Sequence, residues 1–309
     1  VLTADVYGAA GAAGLSAGWS VGSGGWSWNL LTDLRQMWAF PFMVNAFRAG
    51  TLIAVGAAVM GWFMVLRRQS FAGHTVATVG FPGAAGAALL GVGAVYGYVT
   101  FCVAAALVIA ALPRAGRAAG GHESAVTGTV QAFLLACGFL FTTLYKGLLG
   151  GVTSLLFGSF LGITTAQVWL LFAVTAAVLG VLAVIGRPLL FASVDPDVAA
   201  ARGVPVRLLS TAFLVLLGAA AAEASQITGS LLVFALLVMP AATAQILSAR
   251  PAVSLALSVA VAVAVTWLGL ITAYYSPYPI GFYVTTFAFA GYVVAYVMTR
   301  SVRFAGGRT

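Results

Sequence analysis

FASVDPDVAAARGVPVR, residues Phe191 to Arg207, is the longest polar interruption in the second half of the chain. On both sides lie apolar runs long enough to cross a bilayer. Both ends of the interruption are marked as those of a short helix. Asp195 is a good N-cap, Pro196 suits the first helical position, and Asp197 sets a second carboxylate in the positive first turn. Val198 to Arg202 follows as helix with a cation at its C-terminal end. Gly203 can take the left-handed conformation that closes a helix, and Pro205 forbids continuation. A short capped helix at a membrane surface presents a rigid knob to something outside the bilayer. An ordinary surface loop between two spans is the other reading of the same residues.

Composition decides the class. Of 309 residues, 62% are hydrophobic and 6% charged, with a mean hydropathy of +1.08. A soluble domain carries about 25% charged residues, so an integral membrane protein is expected. Lys+Arg 14 against Asp+Glu 6 gives a net charge of +8. In a soluble chain that excess would suggest nucleic acid; here the placement of the cations matters, and no nucleic-acid partner is expected. Cys102 and Cys137 each lie inside an apolar run, without a CxxC or a Cys/His cluster, and read as small buried hydrophobes. No cation precedes Arg35, so the charged region of a secretory signal peptide is missing from this stretch.

From Phe42 onward, nine apolar stretches are candidate spans: 42–66, 72–90, 92–112, 125–148, 164–186, 207–223, 228–248, 252–275 and 280–300. Their lengths suit a hydrocarbon core of roughly 30 Å. An all-α polytopic bundle of about eight to nine spans follows. The second stretch is short and Gly-rich, and Leu149 to Gly162 has the look of a re-entrant piece. Glycines recur at 83, 86, 91 and 97, a spacing that lets helices pack closely. Before the first span, Val1 to Gly25 is rich in Gly, Ala and Ser. In Trp26 to Pro41, Leu30, Leu31, Leu34, Met37 and Trp38 share one helical face opposite Asp33, Arg35 and Gln36, the pattern of a helix lying on the membrane. The expected organisation is an external segment 1–41, a transmembrane domain 42–303 interrupted at 191–207, and a tail 304–309.

The cations set the orientation. With an external N-terminus and nine spans, Arg67, Arg68, Arg114, Arg117, Arg187, Arg202, Arg207, Arg250, Arg300, Arg303 and Arg308 fall inside, and Arg35, Arg48 and Lys146 fall outside or in the outer half of the membrane. That bias follows the positive-inside rule and puts Phe191 to Arg207 in the cytoplasm, with the C-terminus. Lys146, the only lysine, sits in LYKGLLGG, which lacks the GK[ST] ending of a phosphate-binding loop.

DPDVAAARGVPVR also resembles the cytoplasmic coupling segment of the permease subunits of bacterial zinc/manganese/iron-type ABC importers. Three more stretches match in order: LRRQSFAGHTVATVGFPGAAGA at Leu66 to Ala87, LLFGSFLG at Leu155 to Gly162, and GSLLVFALLVMPAATAQIL at Gly229 to Leu247. The resemblance covers roughly Phe42 to Arg300. It implies a type II ABC importer-like fold in the bacterial inner membrane. It also implies a second copy of the permease, a cytoplasmic ABC ATPase dimer holding ATP and Mg, an extracytoplasmic metal-binding protein, and surrounding lipid. The chain itself would bind no cofactor and catalyse no reaction; a divalent metal (Zn, Mn or Fe) would be cargo. Asp195, Pro196, Asp197, Ala201, Arg202, Gly203, Val204 and Pro205 would then form the ATPase-coupling segment.

Few side chains in the spans carry chemistry. His74 stands where the resembling family commonly has Asp, and Thr78 where it commonly has His, so one imidazole remains at the other end of an i, i+4 pair. Imidazole is a good metal ligand and a threonine hydroxyl a poor one. His74 therefore reads either as a pathway ligand or as a packed histidine bonded to a carbonyl. Glu223 ends the sixth stretch, beside Gln226 and Thr228, and reads either as a cation-attracting entrance residue or as a solvated helix end. His122 and Glu123 do not form HExxH and fit a loop followed by a helix start. Pro240 is expected to kink its span, and YYSPYP at Tyr274 to Pro279 forms a rigid aromatic turn. The leading function is the membrane subunit of an ATP-driven importer for a divalent metal ion. A permease for iron-siderophore or cobalamin is the alternative in the same class. A secondary transporter or channel would need several intramembrane carboxylates for ion coupling, and these are missing.

Overall fold

Long apolar runs ended by Pro, Gly or a polar cap fold here as long helices. The computed structural model describes residues 37–111, 120–145, 158, 162–276 and 278–306. Within them lie α1 (Pro41–Leu66), α2 (Ser70–Leu89), α3 (Ala94–Ala111), α4 (Gly120–Leu144), α5 (Thr165–Val194), α6 (Pro196–Ala201), α7 (Val206–Thr228), α8 (Ser230–Leu247), α9 (Pro251–Tyr274) and α10 (Ile280–Gly306). Starts follow the local chemistry. Pro41 and Pro251 open α1 and α9, and a Thr164/Gln167 capping box opens α5. Gly91 and Gly229 take positive φ of 71° and 77° at the turns that follow α2 and α7.

The nine expected stretches coincide with the nine long helices among the described residues. Seven of them are long and apolar enough to cross a membrane unaided; α2 and α8 are the two that are not. Both lie among other helices. Val76, Phe81 and Ala84 of α2 and Leu236, Ala241 and Ala244 of α8 are buried, so protein replaces lipid around them. Several boundaries differ from expectation: α4 spans 120–144 rather than 125–148, α10 runs on to 306, and two further ends have a visible cause. α5 does not stop near residue 186 but runs through Arg187 and Pro188 to Val194, because Leu189 and Ala192 still face the bundle. α7 does not stop at Glu223 but continues to Thr228, whose Oγ1 donates to the Ala224 carbonyl at 2.9 Å. The surface helix expected over Trp26 to Pro41 falls outside the described residues except from Met37 onward. The re-entrant piece expected over Leu149 to Gly162 does so except at Gly158 and Gly162.

α1, α7 and α8 pack together with α2 against one side of the cluster. α3 covers α2 and α7, α4 lies on α2, α5 on α1 and α7, and α9 and α10 close around α1 and α8. Backbone contacts replace large side chains at the tightest crossings. A Cβ on Gly61 of α1 would collide with the Leu237 carbonyl of α8, and Gly83 of α2 and Gly97 of α3 each face the other's backbone. Gly218 of α7 meets the Cys102 carbonyl of α3 in the same way. Cys102 is buried as expected, whereas Cys137 is half-buried.

Long-range contacts fix which helix ends share a face. At one end, Trp62 of α1 donates to Ser254 of α9 at 3.0 Å, and Gln245 of α8 donates to the Trp62 carbonyl at 2.9 Å. At the other, Asn45 of α1 donates to the Ile163 carbonyl before α5 at 3.1 Å, and Trp267 of α9 donates to Thr51 at 2.9 Å. Gly158 sits against the Ile227 carbonyl and Gly229 at the turn between α7 and α8.

Helices in lipid associate by close approach, since lipid is as apolar as the side chains it touches. Gly83→Leu is therefore expected to destabilise the detergent-solubilised protein by roughly 1–3 kcal/mol through overpacking. Gly180→Ala, where a Cβ meets nothing within 4 Å, should leave the melting temperature unchanged or slightly raised. Equal melting temperatures for the two variants would contradict the close α2–α3 crossing.

Candidate functional site

The segment between α5 and α7 folds as its residues dictate. Asp195, extended at φ −141°, accepts a hydrogen bond at Oδ1 from the Val198 amide at 3.0 Å, and Pro196 and Asp197 fill the first turn of α6. At the other end Gly203 takes φ +82°. The Gly203 amide donates to the Ala200 carbonyl at 3.0 Å and the Val204 amide to the Ala199 carbonyl at 3.0 Å, the reciprocal pair of a Schellman closure. Pro205 then leads into α7. Ala201 ends the helix and Arg202 caps it. Ala199 is fully buried against the bundle, while Val194, Val198 and Arg202 are exposed. The result is a knob with one face anchored and the other open.

Beneath the knob lies a residue that sequence reasoning counted only as a charge. Arg67 caps the end of α1, and its guanidinium reaches three elements. Nη1 donates to Ser193 Oγ of α5 at 3.1 Å, Nη2 donates to Ser210 Oγ of α7, and Nε donates to Gln69 at 3.3 Å. Its central carbon stands 5.5 Å from the centre of the buried Phe213 ring. The same end carries Arg68, Arg187, Arg207 and Arg250 on the turns and helix ends around it, while Arg48 lies near the opposite end. The separations of 126 and 143 residues in sequence are why no local pattern announced this contact.

The polar groups inside the bundle are fewer and less satisfied. His74, one turn into α2, is half-buried with its ring edge-on to Phe234 of α8 at 4.5 Å, and its Nδ1 is buried without a hydrogen-bond partner. Thr78 is buried, and its Oγ1 donates to the carbonyls of His74 at 2.9 Å and Thr75 at 3.1 Å. Glu223 is not the solvated helix end that remained open from the sequence. It is 8% exposed, with Oε1 buried and unpartnered. It borders a cavity of about 20 Å³ among Ile53, Gly56, Leu171, Thr175, Val233 and Leu237, with space for one water or one bare ion. The extra turns of α7 carry the carboxyl group inward, which an apolar stretch ending in a charge does not reveal.

His74 and Glu223 meet α8 on different faces, the first at Phe234 and the second at Val233 and Leu237. Among the described residues no three metal-ligating side chains converge. Pro240 lies within α8, which continues on both sides of it, so the Leu236 carbonyl has no helical amide to accept from. The side chains of His122 and Glu123 lie outside the described residues.

Comparison with known proteins gives a consistent picture. The profile of the ABC 3 transport family matches residues 39–299. The manganese transport system membrane protein MntC of Halalkalibacterium halodurans is 28% identical over 230 residues, 74% of this chain and 78% of that protein. The manganese import system permease protein ScaB of Streptococcus gordonii is 29% identical over 235 residues, 76% of this chain and 83% of that protein. Among solved structures, PsaBC from Streptococcus pneumoniae in complex with Fab shares the fold. Its TM-score is 0.77 at 24% identity, covering 86% of this chain and 95% of that one.

An unpartnered oxygen in an apolar cavity costs about 1–3 kcal/mol. Glu223→Leu, which removes that oxygen at similar volume, should raise the melting temperature of the solubilised protein by a few degrees. A lowered melting temperature would mean that the carboxyl group has a stabilising partner.

Proposed function

The chain belongs to the ABC 3 transport family, and from that premise we propose that it is the membrane permease of an ATP-driven manganese importer. The observation that carries this reading is the doubly capped α6, a rigid knob at the arginine-bearing end of a bundle that shares the PsaBC fold. A cytoplasmic ATPase dimer closes against α6 from below. An extracytoplasmic binding protein delivers the ion from above. One such knob per chain and two ATPases imply two permease copies about a twofold axis. The arginine-bearing end lies in the cytoplasm, with the N-terminus outside.

Donor chemistry favours manganese among the metals of the family. Zinc is held by thiolate and imidazole sets, whereas manganese accepts carboxylate, hydroxyl and carbonyl oxygen. Among the described residues, the interior offers one imidazole, at His74, and one carboxyl group, at Glu223. The Thr78 proton is committed to backbone carbonyls, so only its lone pairs remain as donors. Such a sparse path suits a permease, which must release what it admits. Pro240 leaves a carbonyl of α8 without its usual helical amide.

Asp197→Arg sets a cation in the positive first turn of α6, at a cost of roughly 1 kcal/mol before any contact is lost. In proteoliposomes holding the permease, its ATPase and its binding protein, this variant should insert normally while losing binding-protein stimulation of ATP hydrolysis. Stimulation at the wild-type level would assign coupling to another loop. Zinc uptake exceeding manganese uptake by the wild-type assembly would reassign the cargo.

A further inference from the structure

α6 touches α5 and α7, its two stems, but His74 sits on α2 and the α1–α8 contact lies at the centre of the bundle. Movement of the knob needs a rigid route to those helices. α5 already packs along α1, and α7 along α1, α2 and α8, and at the end next to α6 one side chain ties them together. Ser193, which receives Nη1 of Arg67, stands two residues before the N-cap Asp195, and Ser210, which receives Nη2, lies in the first turns of α7. The proton of Ser193 is engaged with the Leu189 carbonyl at 2.5 Å, so this hydroxyl serves Arg67 as an acceptor. Ser210 is 3% exposed. The guanidinium thus joins both stems of the knob to the end of α1.

The far side of this junction is equally fixed. Gln69, which accepts from Nε of Arg67, is the N-cap residue of α2, and its amide donates to the Met64 carbonyl of α1 at 3.0 Å. Between them Arg68 holds φ +57°, the one non-glycine positive φ among the described residues. The turn between α1 and α2 is therefore tight, and α2 begins four residues before His74. We propose that Arg67 is the positioning residue that carries movement of α6 to α1 and α2, by holding Ser193, Ser210 and Gln69 to one planar fork. The proposal rests on the reading of α6 as the contact for the ATPase.

The geometry requires a fork rather than a charge. Three acceptors on three elements are served by separate N–H groups in one plane, which a lysine ammonium on a flexible stem does not reproduce. Arg67→Lys keeps the charge and loses the plane, while Ser193→Ala with Ser210→Ala keeps the arginine and loses its acceptors.

The test measures manganese transported per ATP hydrolysed, together with melting temperature, for both variants in the full transporter in proteoliposomes. The loss of hydrogen bonds to a charged group should lower that ratio about tenfold in each variant. The assembled complex should melt within a few degrees of wild type. Lower yield and melting temperature with an unchanged ratio would overturn the proposal, since Arg67 would then only hold the fold. An unchanged ratio in both variants beside an uncoupled Asp197→Arg would also overturn it, leaving the reading of α6 intact. Normal coupling in Asp197→Arg as well would remove the reading of α6, and the proposal with it.

Discussion

Hydrocarbon offers no partner to an orphan backbone group, and each group left unmade there costs several kcal/mol. That constraint accounts for the long helices that make up most of the described residues between Pro41 and Gly306. It also explains how polar side chains are handled. The hydroxyls of Thr51, Thr75, Thr78, Thr243 and Thr285 each donate to a carbonyl four residues earlier in their own helix. Lipid supplies no hydrophobic force between helices, so contact comes from small residues that let backbones meet, as at Gly61, Gly83 and Gly218.

Against that background the exceptions stand out. Glu223 and His74, like the hydroxyls of Ser225, Ser230 and Thr266, each keep a buried polar atom without a hydrogen-bond partner, and they are the two that can ionise. Arg67 is the opposite case, a cation whose fork is engaged by hydroxyls and whose plane lies near a buried ring. Glu223 and His74 face the interior, where an ion would travel. Arg67 sits at the end where α6 would be moved. Unsatisfied groups in the interior and a triply bonded one beside the knob fit a bundle that must admit an ion weakly and transmit movement firmly.

How much was legible depended on range. The caps of α6 were readable because Asp195, Pro196, Gly203 and Pro205 act on their own backbone within a few residues. Seven of the nine long helices were readable from apolar length alone, whereas α2 and α8 are sustained by the helices packed around them. The ends of α5 and α7 were not: Leu189, Ala192 and Thr228 stay helical because of what they pack against, which no local signal records. Glu223 looked like a helix end for that reason. Arg67 was legible as a member of a charge bias but not as a junction, since its acceptors lie more than a hundred residues away.

The central claim is that α6 meets the motor. A photo-crosslinking residue in place of Ala200, exposed on α6, or in place of Ser276, beyond the far end of α9, addresses it in cells expressing the permease with its ATPase. The expected result is an adduct between position 200 and the ATPase and none from position 276. An adduct from position 276 with none from position 200 would contradict both the orientation of the bundle and the role of the knob.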